Sequence, residues 1–109
     1  MKDRNRIVTH YYNNGSKWFE TPYVNDKRHG LEIEWHYSGE KYCETPCVND
    51  QIHGLIIGWH ENGNRWYEIP YINGKINGLR VGWYDNGNKM YETPIKKSIQ
   101  HGVNIKFKY

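Results

Sequence analysis

Residues 71–83, YINGKINGLRVGW, combine a strand end, a turn carrying Gly74 and Gly78, and an alternating strand in which Leu79, Val81 and Trp83 share one side. The same pattern returns 24 residues earlier as Gly54, Leu55, Ile57 and Trp59, and again as Gly30, Leu31, Ile33 and Trp35. One unit is repeated, which makes the chain a linear array of supersecondary structures. Composition agrees with a β reading. The 109 residues contain no Ala and three Leu, so the strongest helix formers are scarce. Five Trp, ten Tyr and two Phe supply apolar area at roughly 150–250 Å² each, which predicts an aromatic core.

Ile7, Thr9 and Tyr11 match the spacing of Leu31, Ile33 and Trp35, so the chain opens with a half-unit, residues 1–14. Four units follow, 15–38, 39–62, 63–86 and 87–109, headed by Gly15, Gly39, Gly63 and Gly87. In the third, residues 65–71 form the first strand, Asn73-Gly74 the turn, residues 79–84 the second strand, and residues 85–87 the passage onward. The expected fold is all-β: eight repeat strands plus the N-terminal one, in an antiparallel meander of stacked hairpins forming one elongated, twisted or curled sheet. Pro22, Pro46, Pro70 and Pro94 lack the N–H that a ladder needs, so a repeated kink is predicted at the end of each first strand. The turn glycines read as punctuation rather than a phosphate cradle, since none opens a helix.

Alternation puts Leu31, Ile33 and Trp35 on one side and Glu32, Glu34 and His36 on the other. Burying carboxylates with leucines is costly, so Phe19, Thr21 and Tyr23 are assigned to the Leu/Ile/Trp side. Truncating Trp59, at the centre of that buried column, is then expected to cost about 3–5 kcal/mol. The other side receives Trp18, Tyr42, Trp66 and Met90 as a second apolar column, mixed with Glu20, Glu44, Glu68 and Glu92. Lys17, Lys41, Arg65 and Lys89 recur three residues before those glutamates.

The chain carries a formal charge of +3, with basic ends and an acidic middle where Glu40, Glu44, Asp50 and Glu61 outnumber Lys41. That distribution excludes one continuous nucleic-acid track, and no specific nucleic-acid partner is expected. Lys96, Lys97, Lys106 and Lys108 read as a solvated basic end. With no signal-peptide run and no window of about 20 apolar residues, a soluble, cytoplasmic protein is expected, in a host's cytoplasm if the gene is phage-encoded. Cys43 and Cys47 would lie about 13 Å apart along one strand face, beyond disulfide reach, and read as reduced packing residues unless a bend at Pro46 brings them together.

No catalytic constellation emerges, and no cofactor is expected. His29, His53 and His101 precede turn glycines and stand roughly 10 Å or more apart by the repeat spacing, too far to share a zinc ion. His36 and His60 share a position with Tyr12 and Tyr84, which fits surface aromatics. A Cys43 or Cys47 nucleophile beside His36 or His60 is outweighed by the Phe and Tyr that fill the same columns elsewhere.

The run WHENGNRWYEIPYINGKINGLRVGWYDNG, residues 59–87, resembles the MORN-repeat variant family and is similar to bacterial proteins labelled antitoxin-like. The resemblance covers nearly the whole chain. It implies stacked β-hairpins in a curved single sheet, with binding or dimerising roles and lipid binding as a further one. The last unit departs from the pattern, with Met90 for the aromatic and Ile95, Lys96, Lys97 and Ser98 in place of a Tyr-led turn run, which suits a terminal cap. The expected function is a non-enzymatic protein-binding module, an adaptor or an inhibitor of a larger protein or complex, antitoxin-like or anti-defence. Its partner-binding residues are Trp18, Tyr42, Trp66 and Met90 with Glu32, Glu34 and Glu44 around them. The alternative is a membrane-surface, phospholipid-binding or self-assembling scaffold protein. A homodimer through the edge strands at residues 7–11 and 103–109 is a further mode.

Overall fold

Asn-Asp and Asn-Gly pairs close the hairpins of the first three units because both central residues adopt left-handed backbone. Asn25 and Asp26 have φ of 51° and 66°, Asn49 and Asp50 49° and 71°, and Asn73 and Gly74 49° and 84°. Two consecutive positive φ values give the tight turn whose twist matches that of the flanking strands. The computed structural model describes residues 4–95. The expected strand at 103–109, with Lys96, Lys97, His101, Lys106 and Lys108, lies outside the described residues.

Among the described residues eleven strands follow in chain order: β1 (Asn5–Tyr11), β2 (Lys17–Val24), β3 (Lys27–Arg28), β4 (Gly30–Trp35), β5 (Lys41–Val48), β6 (Gln51–Ile52), β7 (Gly54–Trp59), β8 (Arg65–Ile72), β9 (Lys75–Ile76), β10 (Gly78–Trp83) and β11 (Lys89–Ile95). They form one antiparallel sheet in the order β1-β2-β4-β5-β7-β8-β10-β11, with β3, β6 and β9 paired to β2, β5 and β8. It is an all-β array of stacked hairpins, 48 × 35 × 16 Å in extent. The three two-residue strands arise because the return strand of each hairpin is interrupted once.

That interruption corrects the expected kink. The proline strands run unbroken through Pro22, Pro46 and Pro70, and the break falls on the neighbouring strand at His29, His53 and Asn77, each followed by a glycine of positive φ, Gly30, Gly54 or Gly78. A strand residue presents its N–H and C=O to the same side, and Pro22 C=O accepts from the His29 N–H at 3.0 Å. The N–H that proline lacks would therefore have faced the segment that bends away, and no donor is missed.

A second irregularity recurs before each proline. Tyr11 pairs with Lys17 but His10 with Phe19, so Trp18 is an extra residue. The register shifts alike at Trp35, Trp59 and Trp83, leaving Tyr42, Trp66 and Met90 unopposed. On a regular strand, residues three apart point to opposite faces; one inserted residue brings them to the same face. Lys17–Glu20 at 2.9 Å and Lys41–Glu44 at 2.5 Å accordingly close ion pairs, as do Arg65–Glu68 and Lys89–Glu92.

Register also corrects the face assignment. Phe19 stands opposite Glu34, and the Thr21 hydroxyl donates to Glu32 Oε2 at 2.6 Å, so Phe19, Thr21 and Tyr23 share a face with the glutamates. Glu32 and Glu34 stay half-buried on that face, where the Thr21 hydroxyl meets Glu32. Leu31, Ile33 and Trp35 face the same way as Pro46, Glu44 and Lys41. This leucine face is not a buried core: Leu31, Leu55 and Leu79 are exposed, and Trp59 is half-buried with Lys41 Nζ 5.3 Å and the Arg65 guanidinium 5.5 Å from its ring. A half-buried Trp59 does not carry the cost expected of a fully buried one. Most buried residues, Thr21, Cys43, Cys47, Thr93 and Ile95, lie on the other, aromatic face, with Val81 the exception.

Candidate aromatic binding face

The bulge decides where the aromatic column points. With one residue inserted, Trp18 turns to the Phe19 side, their rings 5.1 Å apart and edge to face, and also lies 5.6 Å from Tyr12. Tyr42 contacts His36 at 4.8 Å and Trp66 at 5.9 Å, and Trp66 stacks on His60 at 4.8 Å and meets Tyr67 at 5.5 Å. The rings thus form a ladder across successive units, in which neighbours cover much of each other. Trp18 remains 42% exposed, while Tyr42, Trp66 and Met90 are half-buried.

Tyr12, His36 and His60 have a role that surface aromatics would not. Each begins a turn between units, and its polar tip reaches the next unit's tryptophan carbonyl: Tyr12 Oη donates to Trp35 O at 2.7 Å, His36 Nε2 to Trp59 O at 2.9 Å, and His60 Nε2 to Trp83 O at 2.8 Å. Those carbonyls sit at the bulge, where the regular ladder is interrupted, so the rings satisfy them. His29 and His53 take the turn role expected: the Asn49 N–H points at His29 Nδ1 at 3.4 Å, and the Asn73 N–H donates to His53 Nδ1 at 3.1 Å. All four histidines bolt one unit to the next. Among the described residues, no three His, Cys, Asp or Glu side chains converge on a point where a metal would sit.

Glu32 and Glu34 lie on the aromatic face, as expected. Glu44 does not; it stands opposite Ile33 on the leucine face, paired to Lys41. The bulge between Lys41 and Cys43 is the reason, because it separates the faces of Tyr42 and Glu44 that simple alternation merges. Burial first, and then the neighbouring Glu32, push the Glu34 carboxyl above its ordinary range. Burial, then the Glu34 charge, likewise raise the Tyr42 phenol.

The Glu34 shift fixes the sign of a pH effect. A carboxyl whose pKa is raised by folding binds more protons in the folded chain, so its ionisation opposes folding. Glu34→Gln is expected to raise the melting midpoint at neutral pH. The gain should shrink as pH falls through the raised pKa and vanish below the ordinary carboxylate range. Melting curves of both proteins across that window check it, and a pH-independent difference would contradict it.

The centre of the face was not read from the sequence. Tyr67 lies across Gly58 on β7, and its hydroxyl reaches Cys43 Sγ on β5 at 3.5 Å. Tyr91 covers Gly82 in the same way. Burial, then the bond to Cys43, push the Tyr67 phenol far above its usual range, and burial raises the Cys47 thiol. Both cysteines are free and buried. The sequence held a signal: Gly58 and Gly82 occupy the place of Glu34 where the facing residue is Tyr67 or Tyr91. An open cleft of about 410 Å³ lies beside this centre, lined by His36, His60, Glu61, Asn62, Trp66 and Asp85.

A family model described as MORN repeat variant matches residues 7–25 and 52–73. These two segments are similar to MORN repeats of this variant type. Each matched segment runs from the strand before a turn between units, through the bulge, to the hairpin tip beyond it. The MORN signature here is thus centred on the bulged turn that builds the aromatic ladder. No curated protein and no solved structure matches the chain.

Proposed function

We propose that the chain is a non-enzymatic, protein-binding MORN module that works as an adaptor or as an inhibitor of a larger protein. It acts through the aromatic face, where Trp18, Tyr42, Trp66 and Met90 accompany Glu32 and Glu34. The observation that carries this reading is the 42% exposure of Trp18 at one end of an otherwise self-covering ladder. A large, stiff aromatic held by Tyr12 and Phe19 is a preorganised anchor, the residue type that dominates binding energy at protein interfaces. Glu32 and Glu34 sit near that end, while Arg80 occupies the equivalent place on β10, so the face is acidic on one side and basic on the other. A partner offering an apolar slot beside a basic group satisfies that pattern in one orientation.

The test is affinity capture from the source cell's lysate with wild type, Trp18→Ala and Leu55→Lys, at low and high salt. A stoichiometric protein retained at high salt and by Leu55→Lys, but lost with Trp18→Ala, is expected. Equal capture by wild type and Trp18→Ala would refute the assignment of this face.

A further inference from the structure

Ile7, Leu31, Leu55 and Leu79 form one apolar row across the sheet and are 64%, 43%, 40% and 47% exposed. Prolines of the intervening strands alternate with them, Pro46 facing Leu31 and Pro70 facing Leu55. We propose that this leucine face is the interface of a symmetric homodimer, in which two copies pack face to face as a two-layer sandwich. The aromatic face stays open in that dimer, so this inference stands apart from the binding role above.

Three observations select a second copy as the occupant. The described chain is a single layer only 16 Å thick, whereas a sheet's apolar face is stabilised against a second layer about 10 Å away. Eight long strands about 4.8 Å apart span roughly 34 Å, and eight residues along a strand roughly 26 Å, giving a face of about 900 Å². A standard interface needs about 800 Å² per partner, so one copy supplies enough.

Charge makes the same selection. The basic and acidic rows beside the leucines are paired within each copy, Lys17 to Glu20, Lys41 to Glu44 and Arg65 to Glu68 among them. The face therefore carries no field that repels its own copy, and none that would draw a strongly basic or acidic stranger or an anionic lipid surface. A two-fold axis lying in the interface, along the row or along the strands, brings the row onto itself, because it is apolar along its whole length. Aligned sheets crossing at about 30° keep such rows in contact.

Sedimentation equilibrium of the full chain, from low to several hundred micromolar, tests the proposal. The expected result is a reversible species of twice 13.1 kDa, lost in Leu31→Lys/Leu55→Lys and kept in Trp18→Ala. A wild-type monomer throughout that range, or a dimer that survives in a folded Leu31→Lys/Leu55→Lys, overturns it. A second reading needs no variant: amine labelling of Lys41, on this face, should slow several-fold as wild-type concentration rises. Lys27, near the hairpin tips, should label at a constant rate. Lys41 labelling that is independent of concentration would count against the dimer.

Discussion

Gly58→Ala is expected to destabilise the sheet by about 3 kcal/mol, although alanine suits a strand interior better than glycine does. The reason is the ring above it. A Cβ at Gly58 would stand 2.3 Å from Tyr67 Cζ and 2.4 Å from Cε2, so the whole ring has to leave. With it go the hydroxyl contact to Cys43 and the edge contact to Trp66. Overpacking a close contact costs about 1–3 kcal/mol and a lost hydrogen bond about 1 more.

A double-mutant cycle separates this mechanism from a general dislike of side chains there. The equivalent of Tyr67 one unit earlier is Cys43, and its facing residue is the full-length Glu34, so the site accepts a side chain when its neighbour is small. Gly58→Ala made in a Tyr67→Cys background should therefore cost little, giving a coupling of more than about 1 kcal/mol. Denaturant unfolding of the four proteins measures it, and additive costs would show that the ring is not what excludes the methyl.

What the sequence made legible was whatever repeats locally. The 24-residue period, the Asn-led turns and the alternating Leu-Ile-Trp strands are short-range patterns, and the hairpins form where they lie. What failed was the sharing of faces between strands, because that depends on a register which one inserted residue changes. Reading Tyr42 as an ordinary strand residue put Glu44 with the aromatics, and the cost of burying carboxylates put Phe19 with the leucines. The Lys17–Glu20 spacing held the missing information: a basic and an acidic residue recurring three apart in four units make sense on one face only if a residue is inserted between them. The exposure of Leu31, Leu55 and Leu79 was beyond local pattern altogether, since nothing along one strand says whether a second layer will cover it.

Gly54→Ala should cost about as much as Gly58→Ala, roughly 3 kcal/mol, but for a different physical reason. Gly54 sits at the break in the return strand with φ of +128°, and a Cβ there would lie 2.9 Å from Pro46 Cγ. Two penalties add: backbone strain of about 1–3 kcal/mol for a non-glycine residue in this region, and a clash with a ring that is tied to its own backbone and cannot swing aside. Gly63 isolates the first of these, having φ of +90° and no atom within 4 Å of a built Cβ, so Gly63→Ala should cost only about 1 kcal/mol. Pro46→Ala isolates the second by removing the Cγ, and Gly54→Ala in that background should fall toward the Gly63→Ala value. Denaturant midpoints of the five proteins decide between the terms. Equal costs for Gly54→Ala and Gly63→Ala would mean that the proline ring does not set the break, and that strain alone keeps glycine there. A large difference removed by Pro46→Ala would show why the units carry proline and glycine as a facing pair: the ring of one strand fills the space left by the missing side chain of the next, and so fixes where each hairpin bends.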